Sequence, residues 1–511
     1  MKKLFFNLII GSLAVVPQMA FAQQTLEQAT DSIKQILVDA RAGKPEAQNE
    51  VGAWYYRGRH VKQNYKEAAQ WWAKAAAQGN ARAIGNLGLC YQTGNGVEAD
   101  SLKAMKLYTS SIKRGNVALF KQNMTLAGKG NVFAQVYTAY CLQHGLGVKK
   151  DPAKAATYLE TAASKGSVDA QRELALYLLN SKQPVKAYAW FKKAADKGSV
   201  PSIFYCGKML IDGLGVKKDA QQGMIYILKA ADAGFANAEY LASQAYYQGN
   251  GVTKSNTQGY NWLLKAALSG VSNAQYQLAQ KMVIGDGCPV NYDRATYWFG
   301  RSIPAGHAVA FKKEFDKAEG TLYGSPYHAY LKGLKYYSQK DFEQALKQFK
   351  IVEKAGIIEG KTMTAVIMAN KDYSKYNLKK GVKLLKEAAK TDPMAMYLLG
   401  AMYEAGKGVE ADLVQAKSYL EQAAKAGNPE AMCYLGNMYY EGRGVDKNYD
   451  EAVRYYIMSE GQLTPDAAKH LAACYENGYG NLEKDTQKAE ELLKNSYKNT
   501  TEAVLKLVPM N

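Results

Sequence analysis

One phrase returns along the chain and limits what it can become. It is glycine, any residue, glycine, then usually valine, set between short stretches rich in alanine and tyrosine. It stands at Gly94-Asn95-Gly96-Val97, Gly145-Leu146-Gly147-Val148, Gly213-Leu214-Gly215-Val216, Gly249-Asn250-Gly251-Val252, Gly406-Lys407-Gly408-Val409 and Gly442-Arg443-Gly444-Val445. Gly58 and Gly94 lie 36 residues apart, and the same step links Gly213 to Gly249, Gly249 to Gly285, Gly406 to Gly442 and Gly442 to Gly478. A fixed period of this length describes copies of one supersecondary unit, each obliged to stack on the next to bury its apolar face. Function is then to be sought on a long surface before a single pocket.

Within a copy the apolar residues keep helical spacing. Ala431, Leu435, Gly436 and Tyr439 stand 11, 7, 6 and 3 positions before Gly442, which is one face of a helix. The same slots hold Ala83, Leu87, Gly88 and Tyr91, then Ala395, Leu399, Gly400 and Tyr403, then Ala467, Leu471, Ala472 and Tyr475. Glycine costs roughly 1 kcal/mol in a helix interior, so a small residue six before the loop implies a close neighbour. The paired loop glycines stop this first helix by allowing left-handed backbone angles. Asp151-Pro152 and Asp219-Ala220 then suit the start of a second helix. That helix carries an aromatic and an Ala-Ala pair, as in Trp71-Trp72-Ala73-Lys74-Ala75-Ala76, and ends at glycines such as Gly79, Gly115 and Gly166. On this reading Tyr55, Tyr91, Tyr246, Tyr403, Tyr439 and Tyr475 belong to the core, with Trp72 and Trp298.

This combination, A-x3-LG-x2-Y-x2-G-x-GV with an AA-x2-G ending, resembles the Sel1-like repeat, a relative of the tetratricopeptide repeat. The resemblance implies an all-α fold, a right-handed α-solenoid of helix-turn-helix units whose first helices line a concave face. Members of the family act as adaptors and scaffolds. Its cysteine-rich branch, proposed to bind or cleave β-lactams, pairs two cysteines per repeat with seven residues between them, and no pair here has that spacing. Ten clear or degraded copies are expected over most of 46–306 and 393–497. Residues 23–45 read as a capping helix, 116–130 as an insert, 307–392 as an irregular, tetratricopeptide-like segment forming a hinge or bend, and 498–511 as a tail. Gly333, Tyr336, Ala345 and Phe349 carry the tetratricopeptide likeness.

The first 22 residues read as an export signal. Lys2 and Lys3 precede an apolar run from Leu4 to Val16, and Ala20-Phe21-Ala22 is a small-x-small cleavage site. The run is too short to span a bilayer, which takes about 18 apolar residues or more. The expectation is a periplasmic or secreted chain that is not membrane-spanning. Without Lys2 and Lys3 the formal charge falls from +19 to +17. That excess favours acidic partners or anionic envelope polymers, although lysines on outer helix faces also serve solubility. No nucleic-acid module is recognisable.

Catalytic signatures are missing: no HExxH, no paired CxxC, no phosphate-binding lysine loop and no G-x-S-x-G. Ser110-Ser111-Ile112-Lys113 matches S-x-x-K on a second helix, a string short enough to arise by chance. His60, His144, His307, His328 and His470 are scattered, and no cofactor or metal is implied. Cys90, Cys141, Cys206, Cys433 and Cys474 read as small packing residues. Cys288, in place of the loop valine, reads as the most accessible thiol.

A partner would sit on the first helices. If positions 11, 7 and 3 before the loop face the core, positions 9, 5 and 2 point away, at 100° per residue. Those slots hold Tyr56, Tyr140, Phe204, Lys208, Tyr240, Tyr247, Tyr276 and Tyr440. Repeated tyrosines supply large contact area at small entropic cost, which makes them a candidate docking stripe. The competing reading buries these rings between turns of the array. The preferred function is a non-catalytic exported scaffold binding a protein or peptide. The alternative is a cell-envelope enzyme or binding factor acting on peptidoglycan or another anionic polymer.

Overall fold

The computed structural model describes residues 31–459, 464–495 and 504–508. The expected export signal lies outside them. The described residues form an all-α solenoid without strands, in which most helices within a unit pack on their sequential neighbours. The chain divides after Asp219 into two compact units.

Local chemistry explains the helix ends. The copy at 81–113 is representative. Asn80 caps the helix Ala81–Thr93 by accepting from the Ala83 N–H, and Gly94, at φ 75°, closes it with its own N–H on the Cys90 carbonyl. Asp100 then caps Ser101–Lys113 through the Lys103 N–H. Asp151 and Asp412 repeat that role, as their place after the loop predicts, each such cap being worth about 1 kcal/mol.

The small residue six before the loop is a hole, and the second helix supplies the knob. A Cβ at Gly52 would lie 2.6 Å from Trp72, at Gly88 2.6 Å from Tyr108, and at Gly436 2.4 Å from Tyr456. In each pair the ring is 20 residues downstream of the glycine. Where Ala139 and Ser243 replace glycine, the residue at that step is Leu159 or Leu263 instead. Gly207 with Ile227, Gly400 with Leu420 and Ala279 with Phe299 depart from this size matching.

The second loop glycine does what the sequence reading did not anticipate. A Cβ at Gly96 would fall 2.1 Å from the Tyr65 carbonyl oxygen, at Gly251 2.3 Å from that of Ala220, and at Gly287 2.2 Å from that of Asn256. Each target is the opening turn of the preceding copy's second helix. These glycines are the points where one copy's backbone rests on another's.

The core assignment of the tyrosines three before the loop needs correction. Tyr55 is buried, but Tyr91, Tyr246, Tyr403, Tyr439 and Tyr475 are only half-buried. The fully enclosed slot is one residue earlier, at Trp54, Cys90, Cys141, Met438 and Cys474. Positions 11 and 7 stay buried, as at Ala431 and Leu435, so only the last slot moves by one residue, and the tyrosines lie along the edge of the face. Trp72 and Trp298 are buried, as expected.

The departures from period are all helical. The insert is one helix, Val117–Gly128, packed on Val132–His144. The copy lacking a glycine loop turns at Lys182, with φ 58°, before Pro184–Asp196. Residues 307–392 hold the helices Ala308–Glu314, Pro326–Ser338, Phe342–Lys354, Glu359–Met368 and Leu378–Ala388. Gly333 there takes the ring of Phe349, 2.5 Å from a Cβ, in the same hole-and-knob arrangement.

Candidate functional site

The first helices are set by a buried amide. The pair Ala-Gln recurs at 47–48, 134–135, 170–171 and 274–275. Gln48, Gln135, Gln171 and Gln275 are buried, and each donates to the carbonyl eight residues before it, at 3.1 to 3.2 Å. Those carbonyls close the preceding helix, so every glutamine fixes the angle of its own. The repeated dipeptide was a signal in the sequence that went unread.

Beside these anchors runs a half-buried polar ladder that crosses from copy to copy. Asn86 donates to Asn49 at 3.0 Å, Gln244 to Gln277 at 2.8 Å, and Asn437 meets His470 at 3.0 Å. A primary carboxamide that gives one N–H to its neighbour keeps another donor and spare lone pairs. Such a row can engage the main chain of a bound segment. It was not among the residues expected to carry docking.

The expected stripe is only partly open. Lys208 is exposed, and Tyr56, Tyr140, Tyr240, Tyr247 and Tyr440 are half-buried. Phe204 and Tyr276 are buried, at 9% and 8% exposure. Tyr276 lies between Phe299, at 5.2 Å, and His307, at 5.0 Å, so it is a packing residue. The rings two before the loop tie copies together. Asn95 donates to the Tyr56 hydroxyl at 3.2 Å, and the Tyr247 hydroxyl donates to the Asp286 carbonyl at 3.2 Å. In both cases the partner is the middle residue of the next loop. Tyr440 stacks on His470 of the next copy, 4.1 Å away.

The half-buried tyrosines three before the loop line clefts on the loop side. One cleft, of about 670 Å³, brings Lys379, Lys383, Lys386 and Lys390 to one wall and Tyr403 and Glu410 to the other. Lys379, Lys383 and Lys386 follow i, i+4, i+7 along one face of the helix Leu378–Ala388, Lys390 lies just beyond its end, and the Lys386 ammonium stands 5.6 Å over the Tyr403 ring. A second cleft, of about 850 Å³, sets Lys417 and Lys447 beside Tyr439.

A group of acids, with Glu359 and Asp392 buried and Asp293 and Glu430 half-buried, lies where the helix Tyr292–Ser302 meets residues 359, 392 and 430. The Tyr330 hydroxyl donates to Asp293, and the Tyr292 N–H to Glu359 at 3.0 Å. The Thr362 hydroxyl and the Met394 N–H both serve Asp392. Beside them Arg294 donates to the Gly427 carbonyl at 2.7 Å, joining segments 133 residues apart. Burial, reinforced by the neighbouring Asp392, Glu359 and Glu430, pushes the Asp293 carboxyl up to about 8. Burial raises Glu359 to about 7, and raises Asp392 and Glu430 in the same direction. Asp293 keeps its proton at neutral pH, yet among the described residues no three His, Cys, Asp or Glu are placed to hold a metal.

The remaining reactive side chains are occupied. The Ser111 hydroxyl donates to the Ala81 carbonyl and accepts from Asn116 at 2.9 Å. His307 meets Asn273 at 3.0 Å, and His328 accepts from the Gly324 N–H at 3.0 Å. All six cysteines are free thiols. Cys288 is the only one of them not fully buried, and its thiol is still pushed up to about 11 by burial.

The Sel1 repeat matches this chain ten times, over residues 45–80, 81–116, 132–167, 168–199, 200–235, 236–271, 272–307, 393–428, 429–459 and 465–499. Among solved structures, c5321, a protective antigen present in uropathogenic Escherichia coli strains and displaying an SLR fold, is 26% identical. The alignment covers 93% of this chain and 96% of that one, with a TM-score of 0.37. A Sel1 repeat protein from Oxalobacter formigenes is 23% identical over 81% of this chain and 92% of its own, with a TM-score of 0.34. Yeast Tom70 is 16% identical over 90% and 95%, with a TM-score of 0.21.

Proposed function

Because the chain belongs to the Sel1 repeat family, whose members generally mediate protein–protein interaction, we propose that it is a non-catalytic exported scaffold holding a protein or peptide along its first helices. The observation that carries this reading is the cross-copy ladder of Asn49–Asn86, Gln244–Gln277 and Asn437–His470. Such a pair recurs in both units, and its half-buried amides suit main-chain recognition within each. Export rests on the N-terminal sequence alone.

Photo-crosslinking in cells tests the face directly. A benzophenone side chain at Lys208 or Gln244 should trap one discrete partner, while the same group at the exposed second-helix residue Ile225 should trap none. Capture from Ile225 with silence from Lys208 and Gln244 would place docking on the opposite side and end the proposal.

A second reading has its own support: binding of an anionic envelope polymer in the cleft of Lys379, Lys383, Lys386 and Lys390. Crowding four cations on one wall is relieved by an anion. Purified cell wall should then sediment the protein at low salt and release it at high salt. Unchanged sedimentation after Lys383→Glu with Lys386→Glu would remove this reading.

A further inference from the structure

The end of the chain leaves its own repeat. Helix Thr486–Asn495 packs on Pro465–Asn477. Residues 504–508 instead reach the helix Pro326–Ser338, where the Lys335 ammonium donates to the Val508 carbonyl at 2.7 Å, across 173 positions of sequence. Val504 and Val508 are 0% and 2% exposed and join the apolar core that contains Trp298, Phe299, Tyr327 and Leu331. Leu507 packs partly against that core. Its N–H bonds to the Val504 carbonyl at 2.9 Å, so the segment is a single helical turn. Val504, Leu507 and Val508 follow i, i+3, i+4 and share one face, and Lys506 between them is exposed.

The receptor therefore reads little of this sequence. It supplies an apolar slot for one face of a turn and a cation for the carbonyl that ends it. The helix that presents Lys335 is the first of a pair, the same class of helix that carries the polar ladder. We propose that the slot beside Lys335 is a peptide-docking site, filled in cis by residues 504–508 and open to a partner's apolar helical turn of the same spacing. This rests on the reading of the first helices as the docking face. Tethering makes the resident segment a local competitor at an effective concentration on the order of millimolar. A free ligand must displace it, and the slot is closed until a better one arrives.

The probe is a labelled peptide carrying residues 499–511. It should bind full-length protein bearing Val504→Asp and Val508→Asp, and bind the wild-type chain at least tenfold more weakly. Adding Lys335→Ala to that variant should weaken binding about tenfold. No binding to the variant, or equal binding to both proteins, would overturn the proposal. Hydrogen exchange on the unaltered protein gives a reading that needs no variant. Amides 504–508 should exchange by local opening, well before those of 327–333; equal protection would make the segment a fixed part of the core. A concentration-dependent wild-type dimer that exchanges this segment would also overturn displacement, in favour of a swap. Failure here, with crosslinking still seen from Gln244, removes the slot and leaves the scaffold reading standing.

Discussion

The regular copy at 429–458 and the irregular pair at 326–354 solve the same packing problem and differ in how they join their neighbours. Both bury a ring in a glycine hole, Tyr456 against Gly436 and Phe349 against Gly333. The regular copy then turns through Gly442 and Gly444, whereas the irregular pair turns at Lys340, a side chain forced to φ 62°. In several regular copies the second loop glycine sets backbone on backbone, as Gly480 does on the Tyr449 carbonyl, whereas Gly408 and Gly444 meet only side chains. The irregular pair has no such glycine. Its next helix approaches instead through Gly360, whose Cβ would fall 2.6 Å from the Phe349 carbonyl, and nearby the joint buries Glu359 and Asp392. Packing inside a helix pair is therefore separable from packing between pairs, and only the second depends on the loop.

The largest effect should come from breaking the joint between copies. Gly287→Ala places a Cβ 2.2 Å from the Asn256 carbonyl oxygen at φ 84°. Backbone cannot yield as a side-chain tip can, so a loss of about 3 kcal/mol or more is expected. Gly270→Ala shares the positive φ, 87°, but meets nothing within 4 Å, and should cost only about 1 kcal/mol. Thermal melts of the two variants separate contact from strain, and equal losses would show that the loop is only a turn.

The irregular joint should reveal itself by pH. Asp293 titrates near 8 when folded, against about 4 in the unfolded chain. Its raised value means that the folded state keeps a proton that the unfolded state has released. The stability tied to the neutral form is complete below the unfolded value and is lost as pH rises through about 8. Asp293→Asn preserves an acceptor for the Tyr330 hydroxyl and removes the titration. The wild type should lose on the order of 2 kcal/mol more than the variant between pH 6 and 9, read as the difference in Tm shifts. Parallel shifts would mean that Asp293 is ionised throughout.

Within a regular copy, Gly436→Ala forces a Cβ to 2.4 Å from Tyr456. It should cost roughly 1–3 kcal/mol. Tyr456→Leu, copying Leu159 opposite Ala139, should recover part of that loss, which a double-mutant cycle measures.

Much of this was legible because a repeat is read many times over. The period, the glycine stops and the small residue six before the loop pointed to stacked helix pairs, and Gly88 and Gly436 were recognised as sites of close approach, in a slot that Gly52 also fills. Their partners were not named, although Trp72, Tyr108 and Tyr456 stand at a constant step of 20. The last slot of the face slipped by one residue because, at 100° per residue, position 4 lies about 20° to one side of position 11 and position 3 about 80° to the other, and both fall within a broad apolar stripe. Cys90 and Cys474 were enclosed, while Tyr91 and Tyr475 reached the edge. The stripe suffered most. Tyr56 and Tyr247 are engaged by the following loop, 39 residues on, and periodicity within one helix carries no information about a neighbour's loop. The acids around Asp293 could not be found at all, since Asp293 and Glu430 come from copies on either side of the irregular segment and Glu359 and Asp392 from within it.

The smallest effect is the one that tests whether the irregular pair is a copy that has lost its glycine. Lys340 sits at φ 62°, where the Cβ of an ordinary side chain costs about 1–2 kcal/mol. Its ammonium pairs with Asp372 at 2.8 Å, but both groups are exposed, and such pairs are worth roughly 0–1 kcal/mol. Lys340→Gly removes the strain and the pair together and gives the unfolded chain more freedom, so a net gain of only about 0.5 kcal/mol is expected. Lys340→Ala removes the pair and keeps the strain, so it should be slightly destabilising. The same two changes at Lys182, at φ 58° in the copy without a glycine loop, should fall in the same order. If alanine and glycine behave alike at both sites, the positive φ carries no strain, and the irregular turn is a different solution rather than a damaged copy of the regular one.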